Sequence, residues 1–188
     1  DTHKVTANNY VGAFQATEHL IYQGFKRIAH IANSSYLSIT KERLKGYQDA
    51  LEKHHLPYNE SLIKYCHHGG MISTEIEAVL SELFRGKKKT DAIFNSSDRI
   101  TIVCFGLLKK MKVKNELGFA GFSNIKVGDL FEPPLTVVRQ PAFEIGQSAT
   151  ELLIQMIESK RPVTEFQTKI LNTELIIRKS SLKHSNKI

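Results

Sequence analysis

Cysteine is scarce in this 188-residue chain, and the two that occur lie far apart. Cys66 and Cys104 form neither a CxxC pair nor a zinc-ligand spacing, which argues against a disulfide scaffold or structural zinc and for a reduced protein. No apolar run approaches the ~20 residues of a membrane span. The polar start Asp1-Thr2-His3-Lys4-Val5 has no signal-peptide pattern, and Asp1 in place of Met suggests a cut chain. Repeats, low-complexity tracts and obvious internal linkers are missing too. A chain of this length buries roughly 70% of its unfolded surface without a staple. One domain, or one and a piece of a second, is the expectation.

Catalytic and nucleotide motifs are equally thin. The stretch Gly118-Phe119-Ala120-Gly121-Phe122-Ser123-Asn124 matches neither GxGxxG nor the Walker spacing, and Ser123 lacks the second glycine of a GxSxG elbow. Nothing points to a histidine base and an acid beside a nucleophile. The pairs His54-His55 and His67-His68 are adjacent, so their rings diverge and chelate poorly. The net charge of +7 gathers in Lys87-Lys88-Lys89, Lys109-Lys110 and the last residues. Such clusters can serve nucleic acid, but lysines after helices also suit the negative helix end. No helix-turn-helix, finger or RNA-binding motif accompanies them.

What is present is alternation. Helical spacing of apolar residues predicts helices over 9–23, 38–53, 73–85, from 98 to about 110, and 141–158. Short β-branched runs predict strands at 25–32, 63–65, 91–94, 116–120, 135–138, 166–172 and 175–178. This order predicts an α/β fold, a doubly wound parallel sheet with helices on both faces. Ligands of such sheets bind off the carboxyl ends of the strands. Those ends are 33–39, 66–71, 95–98 and 121–125, so one rim is the candidate site. The stretch from Pro133 to Ser148 is a strand leaving one body and a helix entering another through Arg139-Gln140-Pro141, with Pro141 suited to a first helical turn. Residues 179–188 look loosely tethered.

On the rim, Arg43 falls in or near the first turn of its helix, where a cation opposes the dipole and a bidentate fork could meet a hydroxylated or anionic ligand. The bland reading is a solvated Arg paired with Glu42 or Asp49. Ser96, Ser97 and Asp98 sit at a helix start, where capping is the ordinary role for one of them.

Taken together, several stretches resemble one family. They are 8–24 with Gly12, Ala13, His19, Leu20 and Gly24; Arg27-Ile28-Ala29; Arg43-Leu44-Lys45-Gly46-Tyr47; Asp91-Ala92-Ile93-Phe94 through Ser97-Asp98; Gly121-Phe122; Pro134-Leu135-Thr136 through Gln140-Pro141, Gly146, Ala149 and Leu152-Leu153; and Glu174 to Ser180. The set is similar to the effector-binding domain of LacI/GalR-type transcriptional regulators, which have the periplasmic-binding-protein-like type I fold. The resemblance implies mainly the C-terminal lobe: 8–139 in that lobe, 140–172 as crossing segment and helix of the N-terminal lobe, 173–180 as return strand, and 181–188 as tail. It implies that the helix at 141–158 has lost its usual bed, leaving its apolar stripe exposed, repacked or covered by a neighbouring chain.

Carried over residue by residue, the family's effector contacts fall on Arg43, Ile39, Met71, Ser97, Asp98, Ser123, Asn124 and Gln140. Ser123 and Ala7 stand where the family commonly has Asp, which favours an anionic or phosphorylated ligand over a typical hexose. The resemblance further implies a cytoplasmic homodimer without enzymatic activity, cofactor, metal or membrane contact. Operator DNA would be a partner only through an N-terminal headpiece. The alternatives are a periplasmic sugar-binding protein of a transport system and an enzyme built on a similar sheet.

Overall fold

Two sheets organise the described residues, a six-stranded one and a two-stranded one. The structure, a computed structural model, describes residues 2–85, 89–113, 116–159 and 165–183. Lys87, Lys88 and the tail beyond 183 therefore lie outside the described residues. In chain order the elements are β1 (Lys4–Ala7), α1 (Asn9–Tyr22), β2 (Ile28–Asn33), α2 (Ser38–Lys53), β3 (Ile63–Cys66), α3 (Ser73–Leu83) and β4 (Ala92–Asn95). They continue as α4 (Asp98–Lys110), β5 (Gly118–Phe122), β6 (Thr136–Arg139), α5 (Ala142–Glu158), β7 (Thr168–Leu171) and β8 (Glu174–Ile176).

The larger sheet runs β3-β2-β4-β5-β6-β8. Its side chains alternate between two apolar clusters, as a pleated strand requires. Ala29, Ile31, Ile93, Phe119 and Val137 pack with Ile76, Leu80, Cys104 and Leu108 from α3 and α4. Ile28, Ala92, Phe94, Phe122 and Val138 pack with Ala13, Ala16, Leu20, Tyr47 and Leu51 from α1 and α2. Both faces are covered, which is the doubly wound arrangement read from the sequence. Gly46 lets α1 and α2 close together: a Cβ there would collide with the Tyr10 carbonyl and lie 2.9 Å from Phe14 N.

Three features depart from the sequence reading. β8 is antiparallel to β6, with Arg139 opposite Glu174. The chain leaves the sheet at Arg139 and re-enters at the same end, so the returning strand must run the other way. β1 was not expected; it pairs in parallel with β7, Lys4 opposite Thr168 and Ala7 opposite Leu171. That pairing is non-local and too short to leave a pattern in sequence. Finally, the start of the supposedly loose tail is anchored. Ser180 Oγ accepts from Thr136 N at 2.8 Å and donates to Phe119 O at 2.8 Å, while Ser181 Oγ lies 2.7 Å from both Thr136 Oγ1 and His19 Nε2.

α5 packs one side against β1 and β7, where Lys169 Nζ donates to the buried Ser148 Oγ at 2.9 Å. Ile145 and Leu152 are half-buried, whereas Leu153, Met156 and Ile157 are exposed. Within the single chain the stripe is therefore not repacked into a core.

Candidate effector rim

The carboxyl ends of β2, β4, β5 and β6 place Asn33, Asn95 to Asp98, Phe122 to Asn124 and Arg139-Gln140 along one edge of the sheet. Arg43 reaches this edge from α2. It is the sixth residue of that helix, so it stands in the second turn and not the first, and it is only 3% exposed. Its Nε and Nη2 donate to Asn9 Oδ1 at 3.1 and 2.6 Å, and Nη1 donates to Ser96 O. The guanidinium carbon lies 3.6 Å from the centre of the Phe122 ring. Neither Glu42 nor Asp49 pairs with it directly; Glu42 is linked only through Asn9, whose Nδ2 donates to Glu42 Oε2 at 3.0 Å. Burial draws the Arg43 pKa down to about 9, against a rise caused by Glu42, so it remains a cation at neutral pH. A buried cation held by neutral acceptors is costly unless something compensates it.

Beneath Arg43 runs an aromatic pile. Phe94 is 6.1 Å from Phe122, His30 stacks 5.0 Å from Phe94, and Tyr47 stacks 5.1 Å from His30. Burial pushes the His30 pKa down to about 3, Arg43 adding to the effect against the hydrogen bond to Phe94 O, so the imidazole is neutral. Its Nδ1 lies 3.2 Å from Phe94 O.

Several polar atoms at the rim lack partners. Thr40 Oγ1, Ser96 Oγ, Ser97 Oγ and Asn33 Oδ1 are buried without a hydrogen bond. Each such group costs about 1–3 kcal/mol, which a bound polar molecule would recover with no further desolvation. Ser97 occupies the N-cap position of α4, yet its hydroxyl makes no capping bond. The expectation of side-chain capping therefore fails for Ser97: its extended backbone leaves the hydroxyl unpaired, while its carbonyl accepts from Thr101 N at 2.9 Å and Thr101 Oγ1 at 2.7 Å.

The other expected residues fall into two groups. Ser123 Oγ donates to the Asp98 carboxylate and accepts from Ile125 N at 3.2 Å, so those two side chains meet. Asn124 bonds the crossing segment twice, its Nδ2 donating to Gln140 O at 3.1 Å and its Oδ1 accepting from Gln140 N at 2.9 Å. Both line a groove of about 660 Å³ that follows the crossing and does not reach Arg43. Ile39 is half-buried one turn before Arg43 on the same helix face. Met71 stands apart, 71% exposed after the left-handed pair Gly69-Gly70.

Sequence reasoning passed over Asn9, Thr40 and Phe122 as site components, and named Ser96 on the rim chiefly as a possible cap. Asn8 caps α1, its Oδ1 accepting from Val11 N at 3.2 Å, and so masks the different role of its neighbour. Among the described residues no three His, Cys, Asp or Glu side chains gather as metal ligands. Burial raises both thiols, Cys66 to about 12, so neither is a nucleophile at neutral pH.

A doubly wound lobe with a polar rim and a crossing strand fits a known family. The family model described as periplasmic binding protein-like domain matches residues 17–181, and the chain belongs to that family. Within it, the chain is similar to LacI-type transcriptional regulators. It is 32% identical over 178 residues to the HTH-type transcriptional regulator CelR of Thermobifida fusca, covering 94% of the chain and 51% of that protein. It is 30% identical over 182 residues to the ribose operon repressor of Halalkalibacterium halodurans, covering 94% and 52%. The solved CelR–cellobiose complex superposes with a TM-score of 0.82 at 29% identity, over 95% of this chain and 54% of that one. A LacI-family regulatory protein from Chloroflexus aggregans gives 0.83 at 27%, over 98% and 65%. These relatives are regulators and not enzymes, and the chain spans about half the length of the curated relatives it matches. No helix among the described residues is long and apolar enough to cross a membrane.

Proposed function

We propose that this chain is the effector-sensing part of a bacterial LacI/GalR-type transcriptional regulator, acting in the cytoplasm as a homodimer. A small polar metabolite, a sugar, sugar phosphate or similar compound, binds at the rim and shifts the population between lobe arrangements. DNA contact belongs to a headpiece outside these residues. The observation that carries this reading is Arg43, a nearly buried cation held by neutral acceptors beside the unpaired hydroxyls of Ser96 and Ser97. The cellobiose complex of CelR, on the same fold, supports a sugar-like ligand. The two missing family carboxylates, at Ala7 and Ser123, favour a ligand with an anionic group that Arg43 can meet.

For self-association, the apolar residues Met71, Ile72, Val127 and Leu130 are exposed on either side of α4. Gly70 packs against Ile100 at its start, and Phe131 lies 5.4 Å edge-on from Phe105 in its middle. We assign the dimer contact to this region. The relatives' identity as regulators favours this reading over a transport component.

The test is a thermal-shift screen with cellobiose, ribose and their phosphorylated forms. A ligand that raises the Tm of the wild type but not of Arg43→Gln or Ser97→Ala supports the rim. An undiminished shift in both variants sinks it.

A further inference from the structure

The opposite end of the sheet holds a second cavity. Phe25 precedes β2, Thr90 and Asp91 precede β4, and Leu117 precedes β5, so the amino ends of three adjacent strands converge on it. Its volume is about 490 Å³, within the range of small-molecule sites. Phe25, Phe84, Val113 and Leu117 form an apolar floor. Thr90, 5% exposed, is part of the lining, and its hydroxyl is buried there without a hydrogen-bond partner.

The rim of the cavity is basic. Lys183 Nζ donates to Gly24 O at 3.0 Å and lies 5.4 Å from the centre of the Phe25 ring. Lys89 and Lys112 also line it, and neither forms an ion pair among the described residues. Lys112 holds a left-handed backbone, φ 51°, just beyond α4, where glycine or asparagine is the usual choice. Two carboxylates share the lining. Asp91 is already engaged, accepting from Lys26 N at 2.9 Å and Arg27 N at 2.8 Å, and Glu116 is exposed to solvent. The positive groups therefore prevail around an apolar floor with one unsatisfied hydroxyl.

We propose that this cavity is a second ligand site, remote from the effector rim, for a small aromatic carboxylate. The ring lies on Phe25, Val113 and Leu117; the carboxylate accepts from the Thr90 hydroxyl and pairs with Lys89 and Lys112. The proposal does not depend on the rim reading, because the two sites lie at opposite ends of the strands.

Titration of the ¹⁵N-labelled chain with 4-phenylbutyrate, and with its neutral amide, tests the site. The carboxylate is expected to move the amides of Thr90, Val113 and Leu117 saturably while those of Ser97 and Ser123 stay in place. The neutral amide should bind about tenfold more weakly, the loss expected for one charge-assisted contact. Lys112→Gly suits the left-handed backbone, so it should keep the Tm yet weaken binding about fivefold, and Thr90→Val should act in the same direction. Equal binding of the amide, unchanged affinity in both variants, shifts confined to the rim, or no saturable shift at about 10 mM overturns the proposal.

Discussion

Arg43 and Phe122 form a cation–ring contact at 3.6 Å, buried at the carboxyl end of the sheet. The ring replaces part of the hydration that the guanidinium loses, at about 2 kcal/mol in a desolvated setting. Phe122→Leu keeps an apolar group but removes the ring face. It should lower stability by about 2 kcal/mol in urea unfolding and weaken any ligand that depends on Arg43. Phe122→Tyr, which retains the face, should recover most of the affinity. If Leu binds ligand as well as wild type, the contact has no part in the site.

His30 makes stability acid-sensitive. Its folded pKa, pushed down to about 3 chiefly by burial, lies below the ordinary 6.5. The unfolded chain therefore binds more protons across that interval, and stability rises with pH there. The contribution is complete above about pH 6.5 and is lost as pH falls toward 3, at a limiting slope near 1.4 kcal/mol per unit. His19, also lowered by burial, and Glu18, lowered chiefly by its hydrogen bond to His54, add loss on the acid side. Urea midpoints at pH 7, 5.5 and 4.5 should fall steeply for wild type and less steeply for His30→Phe, which can still stack between Tyr47 and Phe94. Parallel curves would remove His30 as a cause.

Gly46→Ala should be among the most damaging single-methyl changes in the chain. The added carbon meets backbone, the Tyr10 carbonyl and Phe14 N, so α1 and α2 must move apart. A loss of about 2–3 kcal/mol is expected in chemical denaturation. Gly106→Ala, with nothing within 4 Å of the added carbon, should instead be neutral or stabilising because it lies inside α4.

The helices and the alternating strands were legible because both leave local periodic patterns, as in α2, read and found at Ser38–Lys53. β1 was not, because Lys4 to Ala7 become a strand only through pairing with Thr168 to Leu171. Arg43 was legible as a rim residue from its place on α2, and the family resemblance agreed, but its burial was not legible. That burial depends on Asn9, Ser96 and Phe122 converging from three other parts of the chain. Met71 shows the converse: matching position carried it onto the site, while the structure leaves it mostly in solvent.

Asn124 is expected to hold the crossing in place. Its side chain satisfies both the N–H and the carbonyl of Gln140. Asn124→Ala leaves these groups to solvent, so the global stability loss should be small, about 1 kcal/mol. The local effect should be larger, with faster amide exchange at Gln140 than in the core strand β5. Protection unchanged at Gln140 would mean that the crossing is held by other contacts.

Ser123→Asp tests the ligand chemistry most directly. The hydroxyl now donates to the Asp98 carboxylate, a bond that a second carboxylate cannot make while both are ionised. The variant should therefore be less stable than wild type at neutral pH, as urea unfolding would show. Its effect on binding depends on the ligand. A neutral sugar presents hydroxyl donors that a carboxylate can accept, so its affinity should hold or rise. A phosphorylated ligand meets added negative charge, and its affinity should fall by about tenfold or more. Titration of both ligand types against wild type and variant at pH 7.5 separates the cases. If the variant strengthens binding of the phosphorylated ligand, Ser123 does not mark an anion-accepting rim.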